Sequence, residues 1–263
     1  MKALTRFLFL LTLTAVSAGA ADPVPLPPRD KFHLFLLAGQ SNMAGRGLVE
    51  AVDATPHKRV LMLNKAGEWV PAVDPLHFDK PVAGTGLGKT FAVSLAEANP
   101  DITIGLIPAA VGGSPIDTWK PGVFYEPTRS YPWDDAIRKA HKALEAGVLK
   151  GILWHQGESD STGQLAPSYR GKLDDLIARL RKELQSPYVP FVAGQIGRFA
   201  GSPWSEWKET VDRAHKGLPQ RVPRTAYVSS EGLEDKGDKT HFTAAAYREF
   251  GKRYAAAYLR LVK

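Results

Sequence analysis

No cysteine occurs anywhere in the 263 residues, which excludes disulfides, thiolate metal sites and thiol nucleophiles. Such a domain is held together by its core alone. Long apolar runs are also scarce: beyond residues 1–20, no segment approaches the ~20 apolar residues of a membrane-spanning helix. Repeats, low-complexity tracts and composition breaks are missing, so nothing divides the chain into several domains. Charge of one sign is in mild excess only. The formal net charge of +7 falls to +5 without Lys2 and Arg6, and the remainder is scattered. The densest basic stretch, Arg179-Leu180-Arg181-Lys182, shares an amphipathic pattern with Asp174, Asp175 and Glu183. That is a solvated helix face, not a nucleic-acid surface.

The first residues have their own pattern. Lys2 and Arg6 precede an apolar run from Phe7 to Val16, and Ala18-Gly19-Ala20 has the small-x-small form of a cleavage site. Residues 1–20 therefore read as a secretory signal peptide, which predicts a secreted or periplasmic protein with no membrane contact after its removal. Residues 21–31 read as an extended leader and residues 32–263 as one domain of a size that buries a sizeable core.

What is present is a series of buried strands, each ending in glycine or polar loops. Phe32–Leu37 is nearly all apolar and runs into Gly39-Gln40-Ser41. Ile102–Ile107 leads to Gly112-Gly113, Leu149–His155 to Gln156-Gly157-Glu158-Ser159-Asp160, and a strand near Thr225–Ser229 to Asp238–His241. Helical patterns lie between them, including one near Ser168–Leu184 and a last one at Thr243–Leu261. This alternation predicts a single three-layer α/β/α domain with a central parallel sheet, of flavodoxin-like type. All four loops then share the C-terminal edge of the sheet, where such folds bind ligands.

A serine at a tight strand-end turn is either a helix cap or a nucleophile. A nucleophile needs a base, a group to orient the base, and N–H donors for the oxyanion. Of seven histidines, only His241 lies in a loop after a late strand with a carboxylate, Asp238, three residues before it. Gly112 and Gly113 offer exposed N–H groups, and Gln156 offers a side-chain amide. Glu158 either orients His241 in place of Asp238 or braces its loop. His155, Glu158 and Asp160 lack a second spaced histidine, which argues against a metal site. Ala83–Thr90, AGTGLGKT, nearly fits a phosphate-binding loop, but Leu76–Val82 before it contains His77, Asp79, Lys80 and Pro81 and is no buried strand, so no nucleotide is expected.

Taken together, GQSNMAG at 39–45, VGGSPIDTW at 111–119, WHQGESD at 154–160 and DKTH at 238–241 resemble the carbohydrate esterase family of acetylxylan esterases and sialate-specific O-acetylesterases, within the SGNH hydrolase superfamily. The motifs stand in that family's order. The resemblance implies Ser41 as nucleophile, His241 as base and Asp238 as its partner. It further implies an oxyanion hole from the N–H groups of Ser41 and Gly113, rather than Gly112, with the Gln156 side chain. Gln40, Asn42, Gly112 and Glu158 are supporting positions. Gln40 and Gln156 replace the Asp and Asn of the wider superfamily, departures that the esterase family shares. An acetylated carbohydrate is the expected substrate, and no metal or organic cofactor is implied. Trp69, Trp119, Tyr125, Tyr131, Trp133 and Trp204 either stack on sugars or fill the core. A carbohydrate-binding protein without catalysis and a broad aryl or short-chain esterase are the rival readings.

Overall fold

The computed structural model describes residues 24–263. The expected signal peptide and the first residues of the leader lie outside that range. Residues 24–28 carry no regular secondary structure, and Arg29–Lys31 form a single 3-10 turn before the first strand. In chain order follow β1 (Phe32–Gly39), α1 (Ser41–Ala44), α2 (Ala51–Ala54), β2 (Val60–Leu63), β3 (Trp69–Pro71), α3 (Leu87–Ala98), β4 (Thr103–Pro108) and α4 (Pro132–Leu144). Next come β5 (Val148–His155), α5 (Ala166–Glu183), β6 (Phe191–Gly194), α6 (Glu206–Lys216), α7 (Leu218–Arg221), β7 (Thr225–Val228) and α8 (Ala244–Val262).

The seven strands form one sheet in the order β3-β2-β4-β1-β5-β6-β7. Six run parallel, as the sequence pattern predicts. The seventh, β3, is antiparallel to β2 in a hairpin at the sheet edge, where its terminal Pro71 costs no ladder hydrogen bond. Such a short edge strand leaves no periodicity to read. From β1 the chain moves outward to β2 and β3, returns to β4, then crosses β1 to β5 and continues outward. The order therefore reverses around β1, the position where open α/β sheets bind ligands.

Strand β1 is buried on both faces because its side chains alternate between two cores. Phe32, Leu34, Leu36 and Ala38 pack with Ala140 of α4 and Leu173 and Leu176 of α5. Phe35 and Leu37 join Phe91 of α3 and Phe250 and Tyr254 of α8 on the opposite face. Each large apolar side chain buried this way contributes about 1.5–3 kcal/mol, which makes β1 a rigid platform. At its end, Gly39 pairs with His155, Gln40 N–H donates to His155 O at 2.9 Å, and Val111 N–H donates to Gly39 O at 2.9 Å. A side chain at Gly39 would meet His155 O at 2.1 Å, and its φ is +131°. Only glycine lets β1 and β5 close up here and turn the next two residues out of the sheet.

Candidate active site

Ser41 is the first residue of α1, so its N–H has no intrahelical acceptor. Its Oγ lies 2.9 Å from His241 Nε2, and His241 Nδ1 lies 2.8 Å from Asp238 Oδ2. With the Nδ1 proton donated to the carboxylate, Nε2 is free to accept from the Ser41 hydroxyl. Asp238 Oδ1 also accepts the backbone N–H groups of Thr240 at 3.0 Å and His241 at 2.8 Å, so one carboxylate both folds the loop and aims the ring. Burial alone would raise the Asp238 carboxyl. The His241 N–H, the imidazole and the Thr240 N–H outweigh that and bring it down to about 2. The Asp238 and His241 side chains remain 39% and 22% exposed, so the reacting atoms face an open surface.

Glu158, the other candidate to orient His241, does not reach it. Its carboxylate accepts from Asn42 Nδ2 at 2.5 Å and stands 3.6 Å from His155 Nε2. Burial would raise this carboxyl, but His155 and the Asn42 amide more than offset that and leave it below its ordinary range. Asn42 Nδ2 also donates to Thr240 O at 2.9 Å, and Asn42 Oδ1 accepts from Tyr247 on α8 at 2.5 Å. Asn42 thus joins the Ser41 turn, the Glu158 loop and the residue before His241. Its contact with Glu158 is the bracing role left open by the sequence.

The loop after β4, expected to supply an oxyanion donor, treats its two glycines differently. Gly112 N–H is already given to Asp79 Oδ2 at 2.8 Å. Gly113 N–H, like that of Ser41, has no protein acceptor among the described residues. Gly113 adopts φ +84°, and its carbonyl accepts from Tyr125 OH and Ser159 Oγ, both at 2.8 Å. Held from two sides, this peptide presents a fixed, free N–H. Asp79 is itself pinned by Arg46 at 2.6 Å in a nearly fully buried ion pair, which ties the exit of α1 to the oxyanion loop. Buried pairs of this kind fix geometry more than they add stability.

Gln156 corrects the sequence reading. Its side chain is fully buried, and its amide nitrogen donates to Ser114 O at 3.2 Å and Asp160 Oδ2 at 2.5 Å. Its Oε1 accepts from Tyr169 OH at 2.8 Å. With both amide protons engaged by Ser114 O and Asp160, Gln156 braces the loop after β4 and has no proton left to offer an oxyanion. Gln40 Oε1 faces the N–H groups of Gly157 and Ser159, each at 3.4 Å, and so supports the same loop.

The other candidates resolve into structure. Lys89 of the glycine-rich decoy donates to Val52 O, Asp53 O and Thr55 O at 2.7–2.8 Å, which caps α2 and leaves no cation for a phosphate. Asp160 accepts the Ile116 N–H besides Gln156, so it braces a loop. Trp119 and Trp133 are core residues, and Trp69 packs edge-on against Phe32. Trp204 lies against Arg198, and Tyr131 pairs with Phe124 at the surface. Arg46, Asp79 and Ser159 were not singled out by the sequence, and Tyr125 was considered there only as an aromatic. Only the three-dimensional meeting of distant loops reveals their roles.

The chain is similar to known proteins along most of its length. Residues 31–260 match the family model described as carbohydrate esterase, sialic acid-specific acetylesterase. A probable carbohydrate esterase of Arabidopsis thaliana is 31% identical over 256 residues, covering 89% of this chain and 92% of that protein. A crystal structure of an Arabidopsis thaliana protein superposes with a TM-score of 0.77 at 30% identity, over 89% of this chain and 99% of that one. NanS shares the fold at 18% identity with a TM-score of 0.69, over 90% of this chain and 99% of that one. A carbohydrate acetylesterase from Xanthomonas citri shares it at 23% identity with a TM-score of 0.66, covering 87% of this chain and 56% of that one. With the family model matched along nearly all of the described residues, the chain belongs to the sialic acid-specific acetylesterase family of carbohydrate esterases, and is thereby a carboxylic ester hydrolase.

Proposed function

We propose that the protein is an exported serine esterase that removes O-acetyl groups from carbohydrate through an acetyl-enzyme. The observation that carries this reading is the unbroken chain from Asp238 through His241 to Ser41, together with the N–H groups of Ser41 and Gly113, which have no protein acceptor among the described residues. Ser41 Oγ attacks the ester carbonyl while His241 Nε2 takes its proton. The tetrahedral oxyanion is held by the N–H groups of Ser41 and Gly113. The intermediate collapses, His241 returns the proton to the departing sugar oxygen, and the acetyl group stays on Ser41. A water deprotonated by His241 then releases acetate. Every step uses groups of this chain.

Export rests on the pattern of residues 1–20. N-terminal sequencing of the mature protein tests it, with Ala21 or Asp22 as the expected first residue. Catalysis is tested with 4-nitrophenyl acetate and with acetate release from acetylated xylan and O-acetylated sialic acid. Ser41→Ala is expected to lower kcat by about 10⁴ or more, and near wild-type turnover in that variant would sink the mechanism.

A further inference from the structure

Beside the oxyanion loop lies a cleft of about 660 Å³ whose wall includes Ala109, Ala110 and Val111, the stretch that leads into Gly113. Five cationic side chains line it against two acids, Asp79 and Asp135. Both acids are spent: Asp79 holds Arg46, and Asp135 holds Arg138 at 2.9 Å. Among the described residues, the lining cations Lys65, Arg129 and Lys139 have no carboxylate within ion-pair distance. Lys139 Nζ instead donates to Pro108 O at 2.8 Å, inside the wall. Lys80 extends this field to the catalytic edge, since a side chain built at Gly113 would meet its Nζ at 4.0 Å. It too lacks an acidic partner among the described residues.

Lys65 stands in the turn between β2 and β3 and Lys139 on α4, whereas Arg129 is presented on an ordered loop. Tyr125 N–H donates to Ser130 O at 2.8 Å, Arg129 N–H donates to Glu126 O at 3.0 Å, and the Tyr125 hydroxyl anchors the loop on Gly113 O. On the same loop, Phe124 and Tyr131 are 43% and 45% exposed and pair at 5.1 Å. Phe78, 40% exposed, lines the cleft itself. Apolar rings suit sugar faces, whereas cations without acidic partners suit an anion carried by the same ligand. A neutral glycan would use the rings and leave the cations without a purpose.

Resting on the esterase reading above, we propose that this cleft is a subsite for uronate residues of the glycan chain, so that the substrate is an acidic acetylated polysaccharide. Lys65 and Arg129 hold carboxylates along the chain, Lys80 guides it past the oxyanion loop, and the acetylated sugar lies over Ser41.

The test compares acetate release from acetylated polygalacturonate carrying free carboxylates with release from the same polymer after methyl esterification of those carboxylates. Wild type is expected to prefer the free-carboxylate polymer by about five- to tenfold in kcat/KM, mainly through KM. The preference should shrink as ionic strength rises from about 0.05 to 0.5 M. In the double variant Lys65→Glu, Arg129→Glu, the ratio should fall to about one or below. The ratio is read within each protein, so a loss of folded material does not mimic the result. Equal rates on both polymers in wild type, or an unchanged ratio in the charge-reversed variant, overturns the proposal. Failure of wild type on 4-nitrophenyl acetate defeats the esterase reading instead, and shows itself without any polymer.

Discussion

Replacing Asp238 by Asn tests the site at its most exposed member. The asparagine oxygen can keep the backbone bonds now made by Asp238 Oδ1 to Thr240 and His241, so the loop should survive. The other position then offers an N–H₂ group to His241 Nδ1 in place of a carboxylate 2.8 Å away. The ring answers by moving its proton to Nε2, where it faces Ser41 Oγ and can no longer accept. A second loss is the attraction between the carboxylate and the imidazolium formed as Ser41 attacks. For unit charges about 4 Å apart this is about 1 kcal/mol in water and about 4 kcal/mol at an effective dielectric of about 20. With the Asp238 side chain 39% exposed, solvent screening keeps the attraction below that upper figure. Tautomer and charge together predict a kcat loss of about 10²- to 10³-fold, short of the ~10⁴ seen for a buried carboxylate in such a triad. The assay is steady-state hydrolysis of 4-nitrophenyl acetate over about pH 5–9 with kcat and KM resolved. A loss under about threefold throughout would refute the orienting role, and a full ~10⁴ would refute the screening. In wild type the Asp238 carboxyl, held down to about 2, stays ionised throughout that range and adds no acid limb.

Asn42→Ala removes the bridge between Glu158 and Thr240 O, so kcat should fall about 10- to 100-fold with KM little changed. A double-mutant cycle with Glu158→Gln should then give a coupling of about 0.5–3 kcal/mol, and strict additivity would count against the bridge. Gln156→Ala strands Ser114 O and takes one partner each from Asp160, which keeps the Ile116 N–H, and from Tyr169 OH, which keeps His215, and should cost about 1–3 kcal/mol in urea melts; a neutral effect would contradict the inward-facing amide. Asp74 supplies a pH test, because burial first and repulsion from Asp53 second push its carboxyl up to about 7. A carboxyl raised on folding stabilises below its unfolded value and loses that contribution as pH climbs through about 4 to 7, on the order of 4 kcal/mol in all. Measured at about pH 5 and 8, Asp74→Asn should therefore gain on wild type with rising pH, and parallel pH curves would refute the assignment.

The fold was legible because β1, β4, β5 and β6 are buried on both faces and so are written as apolar runs, closed by glycine or polar residues. Strand β3 was not, since three residues at an edge carry no pattern. The juxtaposition of Asp238 and His241 could be read from their spacing, because both side chains belong to one small loop. Gln156 was misread for a physical reason. A polar residue after a buried strand suggests a side chain that faces a ligand, whereas its three partners come from Ser114, Asp160 and Tyr169, two of them distant in sequence. The split between Gly112 and Gly113 likewise depends on Asp79, a residue of an irregular segment with no motif of its own.

The contact between Ser41 and His241 spans 200 positions of the chain. Its two halves hang from the central strand and from the loop before the last helix, so the reactive pair closes a circuit that encloses nearly the whole domain. Hydrolysis therefore belongs to the finished topology and to no smaller piece of it. A chain threaded through a membrane from its N-terminus would carry its nucleophile across long before its base arrived. During that passage the serine would be an ordinary hydroxyl, harmless to any ester it met. Recovery of turnover after denaturation accordingly serves as a clock for the slowest, most non-local step of assembly, whereas helix signals report only the local ones.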